Sequence, residues 1–234
     1  FTVSVLADNV DEHDEVASFI LSGAQNASIL DDTGILTIVD DDEPPALSIA
    51  NGTFTEGNTG VADAPMVVSL SAASEKVVNV DYESTGGSAG VGSDYSAVSG
   101  TLTFATGATQ AIFNVEVHGD DVDEEDQSVE LTLSNPEYAT LAIATATLTI
   151  MDNDEVPTLS ISDVNTADES ATDWNVNVVL SMASEKEVSV SYSTSDDSAS
   201  QGHDYSPRSG TLTFVAGDVT ESFSVSVLAD DADE

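Results

Sequence analysis

The chain of 234 residues contains no cysteine, so it holds neither a disulfide nor a thiolate metal site. It is also nearly devoid of positive charge, with Lys+Arg 3 against Asp+Glu 44 and a formal net charge of −41. Nucleic acid and anionic membrane surfaces repel such a chain, which excludes both as partners. Aromatic residues make up 6%, with a single tryptophan, Trp174, expected to be partly buried near a second strand rather than part of a stacking platform. No apolar run approaches the roughly 18 residues of a membrane span, so direct membrane insertion is not expected. No secretory leader is visible, and the chain starts mid-pattern at Phe1, as a segment of a longer array would. The histidines His13, His118 and His203 stand singly at non-equivalent positions. Without cysteine, single imidazoles at non-equivalent positions make no zinc or copper ligand set.

What is present is apolar content of 40%, enough for real cores and against wholesale disorder. Charge of one sign on this scale destabilises a compact state unless salt or bound cations neutralise it.

Internal repetition organises the chain. Ser74-Glu75-Lys76 returns 110 residues later as Ser184-Glu185-Lys186, Asp94-Tyr95 as Asp204-Tyr205, and Ser99 to Phe104 as Ser209 to Phe214. The acidic run Asp120 to Glu124 returns as Asp230 to Glu234 and appears earlier as Asp8 to Glu12. One unit is thus about 110–112 residues. Residues 44–155 form a complete unit, 1–43 the C-terminal part of a preceding one, and 156–234 the N-terminal part of a following one.

The apolar period inside the unit is two, with Thr, Val and Ile enriched and Gly, Asn, Ser and Pro between runs. Strands are predicted near 45–50, 65–71, 76–83, 100–104, 109–117, 127–134 and 142–151. The inward series reads Ile112, Val115 and Val117; Val129, Leu131 and Leu133; Leu148 and Ile150. The expected class is all-β: tandem Ig-like antiparallel sandwiches with about seven strands per unit.

Strand parity sorts the acids. If successive strands A to G reverse direction, the A–B, C–D and E–F connections and the segment after G share one end. That end receives Glu56, Asp94, the six acids within Asp120 to Asp126, and Asp152, Asp154 and Glu155. The opposite end carries only Glu75 beside Lys76, and Glu137. Oxygen-rich clusters of this kind suit hard divalent cations, and calcium more than magnesium because it accepts six to eight ligands in flexible geometry.

Gly92-Ser93-Asp94-Tyr95, then Gly100-Thr101-Leu102-Thr103-Phe104, then Asp120-Asp121-Val122-Asp123-Glu124 and Asp152-Asn153-Asp154 together resemble the Calx-β domain family. That family is known from the regulatory region of sodium–calcium exchangers and from integrin and bacterial surface-protein arrays. The resemblance spans essentially the whole chain. It implies Ca2+ ligands at Glu56, Asp94, Asp120, Asp121, Glu124, Asp152 and Asp154, with the carbonyl of Val122. In the third unit it implies Glu169, Asp204, Asp230, Asp231 and Glu234, and in the first Asp8, Glu12, Asp40 and Asp42. Glu169 aligns only with an inserted residue. Asn9, Asn153 and Gln127 stand where the family commonly has acids.

The acids after G double as the linker into the next unit, as in Asp40-Asp41-Asp42-Glu43-Pro44-Pro45. Proline stiffens such a joint, and a cation bound there would tie neighbouring units. The functional expectation is a calcium-binding structural spacer of a large extracellular adhesin or fibre, at the cell surface or outside the cell, rod-like when calcium is bound. Its partners are calcium ions and adjacent copies of the same module. A calcium-responsive regulatory module is the alternative, as is a filament subunit completed head to tail between chains. Catalysis is not expected: the paired carboxylates sit in ion-binding loops without a pocket signature.

Overall fold

The computed structural model describes residues 1–165 and 172–229. Every regular element among them is a strand, and no helix is long and apolar enough to cross a membrane. The chain divides into two compact units. The first comprises Phe1–Phe54, Val61–His118 and Gln127–Ile150; the second comprises Thr55–Gly60, Gly119–Asp126 and Met151–Glu234.

The first unit opens with the antiparallel pair β1 (Glu15–Ile20) and β2 (Thr33–Ile38). It continues with β3 (Ala46–Ile49), β4 (Gly52–Thr55), β5 (Gly60–Leu70), β6 (Val78–Gly87) and β7 (Ser99–Phe104). Then come β8 (Gln110–Gly119), β9 (Gln127–Glu137), β10 (Thr140–Ile143) and β11 (Thr145–Met151). They form a four-stranded sheet, β10-β3-β5-β8, and a five-stranded one, β4-β11-β9-β6-β7. Inward residues of both sheets join one core that includes Leu47, Met66, Val68, Val78, Phe104, Val115, Leu131 and Leu148. This is a β-sandwich.

One of the expected strands is divided: the run at 142–151 becomes β10 and β11, in different sheets. The run at 45–50 holds β3 alone, and β4, at Gly52–Thr55 in the other sheet, is a strand the periodicity does not predict. The switch at Ala50-Asn51 is pinned by Asn51, whose side chain accepts the Thr147 N–H at 3.0 Å. Parity also corrects one core residue. On β8 the buried residues are Phe113, Val115 and Val117, whereas Ile112 is 57% exposed, because a period of two turns an even-numbered side chain outward here. Replacing Ile112 by Thr is therefore expected to change the unfolding free energy by no more than about 0.5 kcal/mol in a urea titration.

Phe113 stacks on Tyr82 with ring centroids 4.1 Å apart. Tyr82 lies opposite Gly100 in the β6–β7 pair, and a Cβ at Gly100 would come within 2.8 Å of the Tyr82 hydroxyl oxygen. The glycine of the repeated Ser-Gly-Thr-Leu-Thr-Phe segment is there because an aromatic ring covers it.

The second unit contains β12 (Leu159–Ile161), β13 (Asp173–Leu180), β14 (Val188–Ser193), β15 (Ser209–Phe214) and β16 (Thr220–Ser226). They form the sheets β12-β13-β16 and β14-β15. Its core gathers Val178, Leu180, Leu212 and Phe214. The same device recurs, with Tyr192 opposite Gly210 and stacked on Phe223 at 4.0 Å. Trp174 is half-buried on β13.

Candidate metal centre

Three loops of the second unit meet around carboxylates: the segment after β4, the acidic run after β8, and the segment after β11. Glu56, Asp152 and Asp154 each place one carboxylate oxygen within 4.8 Å of the others. Glu56 is buried, and the Glu56 N–H donates to the Met151 carbonyl at 3.3 Å, which sets the first loop against the third. Asp152 is held at both oxygens: Oδ1 accepts the Asp154 N–H at 3.0 Å and Oδ2 the Glu124 N–H at 3.2 Å. Asp126 Oδ1 accepts the Asp152 N–H at 3.1 Å. In the acidic run, Asp120 Oδ1 accepts the Val122 N–H at 2.8 Å, a tight local turn, and Glu124 is buried. Asp121 is exposed and Val122 half-buried.

The electrostatics are those of an anionic site. Burial pushes the Asp154 carboxyl above its ordinary 3.8, and the charges of Asp152, Asp121, Asp120 and Asp123 push the same way. One of its oxygens, Oδ2, is buried and accepts no hydrogen bond. A buried carboxylate oxygen without a donor is costly unless a cation completes its shell.

A cation does reach the acidic run from the other side. Lys186 Nζ lies 2.7 Å from Asp123 Oδ1 and 3.4 Å from Asp152 Oδ2. Asp123 is buried and also accepts the Ser184 hydroxyl at 2.8 Å and, at its carbonyl, the Glu185 N–H at 3.0 Å. Burial alone would raise the Asp123 carboxyl. The bonds from Lys186 and Ser184 outweigh it and hold the group below 3.8. The ammonium is correspondingly raised above 10.5, by Asp123 first, against desolvation.

The first unit repeats this arrangement around Asp11. Lys76 Nζ lies 2.7 Å from Asp11 Oδ1 and 3.1 Å from Asp40 Oδ2, the Ser74 hydroxyl is 2.7 Å from Asp11 Oδ2, and the Glu75 N–H donates to the Asp11 carbonyl at 3.0 Å. Asp8, Glu12, Asp40 and Asp42 line a single hollow of about 90 Å³. Burial and neighbouring acids raise Glu12 and Asp42. In Asp40 desolvation is outweighed by Lys76 and two backbone donors, which lower it.

Asp94 and Asp204 sit in matching loops. Asp94 is buried and its Oδ2 accepts the Gly90 N–H at 2.5 Å. Asp204 Oδ2 accepts the N–H and hydroxyl of Ser200 at 2.6 and 3.2 Å. Glu169, Asp230, Asp231 and Glu234 lie outside the described residues.

Strand parity puts Lys76, and by repetition Lys186, at the acid-poor end of its own unit, without a role. The structure binds each to the acidic run of the preceding repeat. A signal was available: two of only three basic residues in the chain, each in a Ser-Glu-Lys triplet, recur at one repeat position. Asp11 and Asp123, absent from the expected ligand sets, are the carboxylates these lysines hold.

The Calx-beta domain model matches residues 40–154 and again 152–234. The chain belongs to the Calx-beta domain family. Its Calx-beta repeats are 34% identical over 139 residues to the sodium/calcium exchanger Calx of Drosophila melanogaster, which covers 58% of this chain and 15% of that protein. They are 30% identical over 175 residues to sodium/calcium exchanger 1 of Bos taurus, covering 66% and 18%. The chain thus spans less than a fifth of the length of these relatives. Among solved structures, it is similar to the calcium binding domain CBD12 of CALX1.1, with 26% identity, a TM-score of 0.42 and coverage of 77% of this chain and 75% of that one. It is also similar to the apo-form Calx CBD1 domain, with 30% identity, a TM-score of 0.41 and coverage of 48% and 100%.

The donor set of this Calx-beta chain fits a hard divalent ion. Glu56, Asp152 and Asp154 offer only oxygen, the neighbouring carboxylates and carbonyls extend that supply, and the bare Oδ2 of Asp154 lacks a partner that an ion would provide.

Proposed function

We propose that the chain is a calcium-binding structural module in which Ca2+ is held by Glu56, Asp152 and Asp154, joined by acids of the run 120–124. The observation that carries this reading is the convergence of those three carboxylates around a buried, unpartnered Asp154 oxygen. The ion's chemistry there is charge neutralisation and cross-linking of three loops. Glu56 comes from the start of the sandwich, the acidic run from its middle and Asp152 and Asp154 from its end, so one ion closes the connections of a whole repeat.

The same reading makes the chain a spacer of an extracellular or cell-surface fibre. Asp152 serves the ion cluster and Lys186 of the following repeat together, so calcium and the lysine brace one junction. A binding and bracing role also leaves these carboxylates no catalytic task. A regulatory module is the second reading, favoured by the similarity to two exchangers. The two differ in affinity: extracellular modules bind at about 10⁻⁴ to 10⁻³ M and sensors at about 10⁻⁷ to 10⁻⁵ M.

Calorimetric titration of the metal-free chain with calcium is the test. Heat of binding and a stabilisation of about 2.7 kcal/mol at a hundredfold excess over the dissociation constant are expected. No heat and an unchanged melting temperature would overturn the calcium reading. Dissociation constants in the micromolar range would favour regulation over the spacer. An unchanged maximum dimension in small-angle scattering with and without chelator would count against bracing.

A further inference from the structure

Two neutral amides sit among the acids and are absent from the ligand set. Asn153 stands between Asp152 and Asp154, and Asn58 follows Glu56 by two positions. Their side chains form a continuous relay within the second unit. The Gly57 N–H donates to Asn153 Oδ1 at 2.7 Å, Asn153 Nδ2 donates to Asn58 Oδ1 at 3.0 Å, and Asn58 Nδ2 donates to Asp154 Oδ1 at 2.6 Å. Asp154 therefore has one oxygen engaged by Asn58, while the other, Oδ2, is the buried oxygen without a donor.

We infer that Asn58 and Asn153 are positioning residues that preform the calcium site, fixing the Glu56 loop on the 152–154 segment and turning Asp154 so that Oδ2 faces the ion. The inference rests on the calcium reading above. Its chemical logic is one of hydrogen-bond polarity. Each amide must accept with its oxygen and donate with its nitrogen at the same time, which a carboxylate cannot do. Aspartate at either position would add the charge a cation prefers but break the relay at a donor. At Asn58 it would set a carboxylate oxygen against Asp154 Oδ1. The middle repeat thus uses amides where charge alone would call for acids. The loop is held by neutral bonds that need no ion, so less ordering is required when calcium arrives.

The test follows calcium binding by NMR through the backbone amides of Gly57 and Asp154, and amide exchange of Gly57 in chelator. The proteins are the full chain and its variants Asn58→Ala, Asn153→Ala, the double variant and Asn58→Asp. Each single alanine variant is expected to weaken calcium at this site by roughly tenfold, the range for residues that orient metal ligands. The double variant should be no weaker than about the same tenfold, because the relay fails as a unit. Gly57 exchange in chelator should quicken in Asn153→Ala. Asn58→Asp should also bind more weakly, although it adds a negative charge. Tighter binding by Asn58→Asp, or affinities within twofold of wild type for both alanine variants, would overturn the inference while leaving calcium binding intact. If the wild type shows no calcium-dependent shift, the functional reading itself falls and the inference with it. Should Asn153→Ala fail to fold, as circular dichroism in chelator would report, the nearly isosteric Asn58→Asp decides alone.

Discussion

Gly119→Val is expected to remove about 3 kcal/mol of stability and to weaken calcium at the Glu56 cluster by about a hundredfold. Gly119 ends β8 facing the backbone carbonyls of Glu56 and Gly57. A Cβ built there would lie 2.0 Å from the Gly57 carbonyl oxygen and 2.8 Å from that of Glu56, and both obstacles are backbone. Backbone cannot rotate aside as a side-chain tip does, so the loop that carries Glu56 must lift. Lifting it breaks the Gly57–Asn153 bond at 2.7 Å and moves Glu56 away from Asp152 and Asp154. Alanine stands at the equivalent positions 7 and 229, so Gly119→Ala should displace the loop less and give an intermediate loss. Urea unfolding in chelator reads the stability term, and a calcium titration reads the site. Wild-type calcium affinity in Gly119→Val would show that Glu56 does not serve the ion.

Much of this was legible in the sequence because its two main signals are periodic. The repeat at about 110 residues and the alternation of apolar side chains located the sandwich and its strands. Val129, Leu131 and Leu133 were read as inward and are buried on β9. Ile112 was misread because an even-numbered residue was joined to an odd-numbered series. Strand parity within one repeat was also enough to gather Glu56, Asp152 and Asp154, since acids leave a charge pattern.

Other parts of the site leave no such pattern. Asn58 and Asn153 are neutral and common in turns, so nothing in composition marks them as partners 95 residues apart. The presence of β4 beyond the first expected strand depends on a change of sheet at Ala50-Asn51, which apolar periodicity does not register. The lysine bonds cross from one repeat to the next, whereas strand parity orders only the loops of a single repeat. Charge scarcity was the better guide: in a chain with 44 acids and three basic side chains, a lysine kept at one repeat position is placed to meet a particular carboxylate.

Lys186→Met should cost about 3 kcal/mol, because it leaves Asp123 buried with its charge uncompensated. Lys186 is itself 30% exposed, so water screens part of the attraction and the loss falls at the lower end for buried pairs. The pH dependence separates this pair from the ion site. Lys186 is raised above 10.5 in the folded chain, so its contribution is complete below 10.5 and is lost as pH climbs through the higher folded value. Asp123 is lowered below 3.8, so its contribution is complete above 3.8 and is lost as pH falls through the lower folded value. The difference in stability between wild type and Lys186→Met should therefore be flat from 10.5 down to the pH at which Asp123, raised by burial once the lysine is gone, protonates in the variant, and should shrink beyond each end. Asp154 behaves oppositely. Its carboxyl is raised, so in chelator the folded chain carries a penalty above the raised value that disappears as pH falls toward 3.8. Metal-free protein should accordingly gain stability from this group on mild acidification before Asp123 begins to protonate. In saturating calcium the same acidification should lower stability from the outset, since protons compete with the ion for Asp154. Unfolding curves measured across pH in chelator and in calcium should diverge in sign over that acidic interval. Parallel curves would mean that Asp154 does not hold the ion.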